Sequence, residues 1–531
     1  MDGRSLDDGL GVFEKSLEQG ASRKDHEIEV KFSTDLLGLN RSMVSPLFVS
    51  ASSPKKRKLR TIYFDSPSGD LRKNGLILRI RKNGRAGLVL GVKSASSTAD
   101  SPFARNEIEV RARGLEPDLT LFEISTAAKL TRILGDRNLE AQFETQVTRQ
   151  TIVVKKGQSE IEVAFDDGGI ITGQSRVPLI EIELELKSGV ETDLYDLALQ
   201  CAGSLPLRLD FVSKGEKGFR ACGNPGAASV KAETIQLRPR ASIGKTATVV
   251  LSNSLVHFIA NWAAFKDTEH SESIHQMRVA LRRMRTGLVV FKTVLPRAEF
   301  DFLRTEAKRI ASALGPAREC DAFRETAERG PLSQNNGQVN CEALLAAVRD
   351  WRVGAYRSVA ALIDDRGTTI FVLKVQRLLA RMAQWNELPD ARLKPALSTR
   401  KFATGELDKL NSRALRRGRD VLNLSNEARH SLRISLKKLH YGAEFFGSLF
   451  DRPRKMRSYI DLVSKLQDIL GAQNDAAMAK HFLDQLSETS DGRTDKASGF
   501  VLGWYARGKS AADEKLSGAW KKFKRTKPFW D

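Results

Sequence analysis

The chain has 531 residues, 41% of them hydrophobic and 28% charged, enough to build more than one core and too apolar for a wholly disordered protein. Lys and Arg number 86 against 65 Asp and Glu, and the net charge of +21 predicts polyanionic partners without saying which. Cys201, Cys222, Cys320 and Cys341 lack ligand-like spacing, no apolar run reaches the length of a membrane span, and the first 25 residues carry acids in place of a continuous apolar core. The expectation is a cytoplasmic protein with reduced thiols and no membrane partner.

In chain order, residues 1–23 offer no pattern and are expected as a disordered tail. From His26 to Leu186 the pattern is that of strands. In His26-Glu-Ile-Glu-Val-Lys-Phe32, Glu27, Glu29 and Lys31 share one face and Ile28, Val30 and Phe32 the other. Leu76–Arg81 sets Arg79 beside Arg81, Leu88–Lys93 ends in Lys93, and Arg105–Arg111 aligns Arg105, Glu107, Glu109 and Arg111. Val147–Val154 carries Arg149, Glu160–Asp166 aligns Glu160, Glu162 and Asp166, and Leu179–Leu186 aligns Glu181, Glu183 and Glu185. Helical patterns interrupt at about 118–134 and 191–203, with Asp118 and Thr192 as expected caps. The run Lys55-Lys-Arg-Lys58 reads as a solvated loop before the Tyr63-Phe-Asp65 strand.

A sheet with one solvated charged face is the ordinary meaning of such alternation. Here, however, acids crowd with acids, and Arg79 and Arg81 have no acid between them. Like charges on one face repel unless a cation compensates. Separate acidic and basic walls suit a metal-bridged polyphosphate, the carboxylates on a hard cation and Arg and Lys on phosphate oxygens.

At these residues the sequence resembles a CYTH domain of the triphosphate tunnel metalloenzyme superfamily, over residues 24–220. The motif Glu-x-Glu-x-Lys is Glu27, Glu29 and Lys31. It is followed in order by Tyr63-Phe-Asp65, Leu78-Arg-Ile-Arg81, Lys93, Glu107 with Glu109, Arg149, Asp166, Glu181-Ile-Glu-Leu-Glu185 and Ser213-Lys214. The resemblance implies a closed antiparallel β-barrel of about eight strands, a tunnel with an ionised lumen and apolar residues outward. It implies metal-dependent hydrolysis of a triphosphate, with Glu27, Glu29 and Lys31 catalytic. It places Mg²⁺ or Mn²⁺ on Glu27, Glu29, Asp166, Glu181, Glu183 and Glu185. Lys31, Arg79, Arg81, Lys93, Arg149 and Lys214 become the phosphate clamp. One position departs: Lys217 precedes Gly218 where the family more often has arginine, a point charge in place of a guanidinium fork.

Residues 221–244 read as a linker, and residues 245–527 as helical. Residues 240–531 hold 51 Lys and Arg against 32 Asp and Glu, so +19 of the +21 lies there. His275-Gln-Met-Arg-Val-Ala-Leu-Arg-Arg-Met-Arg285 matches His430-Ser-Leu-Arg-Ile-Ser-Leu-Lys-Lys-Leu-His440, and Leu314–Glu319 matches Leu470–Asp475. The copies, 155 or 156 positions apart, indicate an internal duplication. Helical spacing puts His275, Arg278, Arg282 and Arg285 on one stripe, and His430, Arg433, Lys437 and His440 on another. A charge stripe on one helix is ordinarily a solvated face, but its duplication argues for a binding surface. Neither histidine has zinc-site spacing.

This half resembles a CHAD domain, which implies two four-helix units whose basic helices line a groove for inorganic polyphosphate. The polyphosphate-binding residues expected are His275, Arg278, Arg282, Arg285, His430, Arg433 and Lys437. The fold expected for the whole chain is therefore two domains, an N-terminal antiparallel β-barrel tunnel (α+β) and an all-α duplicated helical-bundle domain. The activity expected is hydrolysis of inorganic tripolyphosphate, with polyphosphate bound by the helices and an association with polyphosphate bodies. The alternatives are a non-catalytic polyphosphate-binding scaffold, or an enzyme acting on thiamine triphosphate or another organic triphosphate. The 7% aromatic content, without a stacking motif, argues against nucleic acid. Oligomeric state is not legible.

Overall fold

A computed structural model describes residues 26–83, 87–94, 103–224, 226, 228–335, 337, 339–383, 398–489, 492–507 and 509–531. The tail expected at 1–23 lies outside the described residues, as do the side chains of Arg105 and of residues 472–475. The chain divides into two compact units, residues 1–226 and 227–531.

The first unit runs β1 (His26–Ser33), α1 (Leu36–Met43), β2 (Lys55–Asp65), α2 (Asp70–Lys73), β3 (Leu76–Asn83), β4 (Leu88–Ser94) and β5 (Ala104–Ala112). It continues with α3 (Ile124–Leu134), β6 (Glu140–Lys156), β7 (Ser159–Thr172), β8 (Ser175–Ser188), α4 (Glu191–Ser204), β9 (Arg208–Leu209) and α5 (Lys214–Ala221). The run Lys55–Lys58, expected as a loop, is the exposed start of β2. Asp118 does cap, accepting from the Thr120 N–H at 3.0 Å, but it caps a 3₁₀ turn ahead of α3. α4 begins at Glu191 with Val190 at its cap, so Thr192 lies inside the helix.

The strands form one antiparallel sheet in the order β5-β4-β3-β2-β6-β7-β8-β1-β9. This corrects the expectation of a closed barrel tunnel of about eight strands. A ninth strand extends the sheet past β1, and β1 meets β5 over three residue pairs only, His26↔Asn106 to Ile28↔Ala104. The reason is the length of β1. Its eight residues serve three neighbours, Glu29–Ser33 pairing with β8 and Phe32–Ser33 with β9, so no full-length ladder closes the sheet. The ionised residues line the concave side of a curved sheet instead.

The convex side is apolar, as the alternation demands. Leu78, Ile80, Leu90 and Val92 pack under Leu71 of α2 and Leu130 and Leu134 of α3. Val30 and Phe32 of β1 are fully buried, and α4 packs on β1, β7 and β8. One end of the concave side is apolar too: Tyr63, Ile77, Phe143, Val147, Ile170 and Leu179 form a buried cluster with Phe219 of α5.

The second unit is helical. It comprises α6 (Ile243–Thr268), α7 (Ser271–Val290), α8 (Arg297–Ala313), α9 (Gly315–Arg329), α10 (Glu342–Ile363) and α11 (Arg366–Ala383). Then follow α12 (Thr399–Arg417), α13 (Asn426–Phe446), α14 (Pro453–Thr489), α15 (Asp495–Arg507) and α16 (Lys509–Arg525). The duplication is visible in these lengths. α14 spans what α8 and α9 cover together, because Pro316 stands in the first copy where Ala472 stands in the second. Proline has no N–H to give the preceding turn, and the chain breaks into two helices there. α6 is long and apolar enough to cross a membrane, yet 67% of its apolar window is buried within the protein, as in a core helix.

Candidate functional site

Strand register decides which charges meet. Residues directly opposite in an antiparallel pair share a face. Glu29 lies opposite Glu185, Lys31 opposite Glu183 and Ser33 opposite Glu181. Across the next pair, Glu181 faces Asp166, and Asp166 faces Arg149 of β6. On the other side, Lys93 of β4 faces Glu107 of β5, and Arg79 of β3 faces Gly91, over which Glu107 and Glu109 lie. Glu27, Glu29, Lys31, Arg79, Arg81, Lys93, Arg149, Asp166, Glu183, Glu185 and Lys214 all line one concave pocket.

α5 completes the lining. Ser213 starts it with reciprocal bonds, accepting from the Glu216 N–H at 3.2 Å while its own N–H donates to Glu216 Oε2 at 2.7 Å. The helix lies on the apolar end of the concave side, and its glycines permit this. A Cβ on Gly218 would fall 1.9 Å from the Phe143 ring, and one on Gly215 would fall 2.9 Å from Ile77. This seating directs Lys214 and Lys217, one turn apart, at the acids. Lys214 Nζ stands 2.7 Å from Glu183 and 3.0 Å from Asp166, and also contacts Glu181. Lys217 stands 2.8 Å from Glu181 and 2.7 Å from Asp210, so the lysine at the departing position still meets the acidic wall. Sequence reasoning missed Asp210. Its only signal was an acid following Leu209, the buried residue of β9.

Acids and bases are each other's counterions. Arg149 holds Asp166 with both prongs, at 2.7 and 2.6 Å, and also contacts Glu183. Burial works against the Glu183 charge, but Lys214 and Arg149 outweigh it and hold the carboxyl well below the usual range. Lys93 bonds Glu27 at 2.6 Å and Glu107 at 3.2 Å, and Arg79 contacts Glu107 and reaches Glu109 at 3.2 Å. Burial raises Glu107, yet Arg79 and Lys93 bring it to about 2. Burial, then Glu107, pushes Glu109 up to about 7, and burial, then Glu27, does the same to Glu185. Lys31, 3% exposed, donates to the Val212 carbonyl.

Asp166, Glu181 and Glu183 each present a carboxylate oxygen, all within 4.8 Å of one another. Hard oxygen donors of this kind fit a divalent cation. Among the described residues this triad is the acidic cluster brought that close. Glu27 turns to Lys93, and Glu185 to Lys187 at 2.6 Å.

In the helical unit, a cavity of about 630 Å³ is lined by His275, Arg278, Arg282, Arg285, His430, Arg433 and Lys437. Both stripes thus meet at one place. Arg304, Arg318 and Lys438 join them. Lys438 is the second residue of a duplicated basic pair, Arg318 sits in the repeated Leu314–Glu319 motif, and Arg304 carried no sequence signal. Arg278 donates to the Ala311 carbonyl at 2.5 Å, and its burial beside Arg282 lowers its pKa to about 10. Burial, then Arg318, pushes His275 down to about 4. His440 leaves the stripe, bonding Glu444 at 3.2 Å and Ser464 at 3.1 Å.

Residues 25–217 match the family model of the CYTH domain, and residues 249–484 that of the CHAD domain. An inorganic triphosphatase of Haemophilus influenzae is 32% identical over 166 residues, 30% of this chain and 45% of that protein. The chain thus spans less than half of that relative. An uncharacterized protein of Mycobacterium tuberculosis is 25% identical over 381 residues, covering 65% of this chain and 69% of that one. The solved CHAD domain of the plant Ricinus communis is similar at 23% identity with a TM-score of 0.47, covering 56% of this chain and 97% of that chain.

Proposed function

Because the chain carries a CYTH domain at residues 25–217 and a CHAD domain at residues 249–484, we propose that its first unit hydrolyses inorganic tripolyphosphate with Mg²⁺ or Mn²⁺, and that its second binds polyphosphate. The observation that carries the reading is the carboxylate triad within 4.8 Å, set directly against Arg149 and Lys214. Asp166, Glu181 and Glu183 would hold the cation, with Glu27, Glu29 and Glu185 lining the pocket alongside Asp166 and Glu183. A bound divalent cation supplies charge neutralisation on the attacked phosphate and lowers the pKa of water. Arg79, Arg81, Lys93, Arg149 and Lys214 bind and orient the phosphate oxygens, and the acids not engaged by metal orient the attacking water. Positioning and charge stabilisation supply most of the catalysis in phosphoryl transfer. The activity is proposed for the cytoplasm, at polyphosphate bodies.

Phosphate release from tripolyphosphate, thiamine triphosphate and ATP, measured side by side with Mg²⁺ and with Mn²⁺, tests this. Tripolyphosphate is expected to turn over fastest. A faster organic triphosphate would move the substrate assignment. No release from any of them, with polyphosphate still bound, would leave a scaffold.

A further inference from the structure

The helical cavity offers more than a chain of phosphates can use. Beside its cations stand Val289, Phe323, Ile434, Met478 and Tyr505, an apolar and aromatic wall. Phosphate oxygens placed against such a wall lose water and gain no donor, which costs free energy. Two carboxylates, Glu319 and Glu325, also line the cavity, Glu325 lying 3.5 Å from Arg318. These are acceptors, and an inorganic phosphate chain meets them with charge of the same sign.

The wall belongs to the architecture of the duplication. Met478 and Ala479 stand 156 positions after Ala322 and Phe323, and all four line the cavity. Both copies therefore supply cations from one helix, α7 or α13, and apolar surface from a later one, α9 or α14. Ile434 is 38% exposed within the basic stripe of α13, where a residue serving only a polyanion would be polar. A volume near 630 Å³ with mixed apolar and convergent polar lining is that of a small organic ligand site.

We infer that the cavity takes a nucleoside polyphosphate, with its phosphates on the two basic stripes, its ring system on the wall of Ile434, Met478 and Tyr505, and its hydroxyl or amino donors toward Glu319 and Glu325. This rests on the reading of the same cavity as a polyphosphate site and narrows its ligand.

Adenosine tetraphosphate and inorganic tetrapolyphosphate, titrated calorimetrically into the full chain with EDTA present, test it. The nucleotide is expected to bind about tenfold more tightly, the worth of one stacked ring. Ile434→Ser, at an exposed position, and separately Tyr505→Ala, should each reduce that advantage while leaving tetrapolyphosphate affinity in place. Arg278→Ala with Arg282→Ala should weaken both ligands, which assigns the heat to this cavity. Equal affinities, or an advantage that survives both wall variants, would overturn the inference. If the inorganic chain binds and the nucleotide gains nothing, only this inference falls. If neither ligand nor long-chain polyphosphate binds, the polyphosphate reading falls with it.

Discussion

Glu183 shows how far a single side chain is defined by its neighbours. Its charge survives burial because Lys214 and Arg149 stand against it. A phosphate chain would draw those cations away, and a divalent cation would replace them at the carboxylates. Each ligand is therefore expected to tighten the other: the Kd of tripolyphosphate analogues should rise on metal removal, read by titration with and without EDTA. Glu27→Gln and Glu29→Gln each remove a charge with little change of shape. Both should cut kcat/KM for tripolyphosphate by about a hundredfold with the melting temperature unmoved, and wild-type turnover at limiting metal would refute the assignment. His275 predicts a pH response of the same sign as a free imidazole but in a more acidic window. Its neighbours are Arg318, Arg282, Arg278 and Glu272, and its pKa is about 4 before binding. A bound polyanion raises that value, so binding takes up a proton wherever pH lies between the free and bound pKa. Affinity for polyphosphate should grow as pH falls from about 6.5 toward 4, with little change from 6.5 to 8, and His275→Gln should flatten the slope. The charged stations were legible in the sequence because period-two alternation fixes their face. Their partners were not, since Lys93–Glu27 and Lys214–Glu183 join positions 66 and 31 apart in the chain.

At the scale of elements, α5 is the most informative. Its sequence, Lys214-Gly-Glu-Lys-Gly-Phe-Arg-Ala221, reads as a poor helix, with two glycines in eight residues. The glycines are explained only by the surface beneath them. Phe143 stacks on Tyr63 at 4.5 Å and meets Phe219 edge-on at 5.1 Å, so its ring has nowhere to go. Gly218→Ala should cost about 1–3 kcal/mol by overpacking, read as a lower urea midpoint. By shifting Lys214 and Lys217 it should also reduce turnover, and an unchanged midpoint would mean the helix is not seated there. Strands β1 and β3 to β8 were legible because hydrophobic alternation is local. The end of the sheet was not: how β1 divides its eight residues among β5, β8 and β9 depends on curvature, which no local pattern encodes. Likewise the repeat predicted matched helices, but only Pro316 explains why one copy is broken.

For the whole molecule, the two proposed sites lie in different units. Arg433→Ala with Lys437→Ala should weaken long-chain polyphosphate binding and flatten its salt dependence, since each phosphate contact releases a counterion. Tripolyphosphate hydrolysis should be unchanged in that variant, measured on the same preparation. The charge asymmetry that pointed to two jobs was visible at once, with +19 of +21 beyond residue 239. The apolar filling at one end of the concave sheet has a kinetic corollary. With Tyr63, Phe143 and Phe219 filling that end, a substrate of the proposed activity would enter, and its fragments leave, from the same side. A long polymer would then be cut from its ends, one encounter at a time. Under the proposed hydrolysis, pyrophosphate and orthophosphate would compete with incoming substrate there, and turnover should slow as products accumulate.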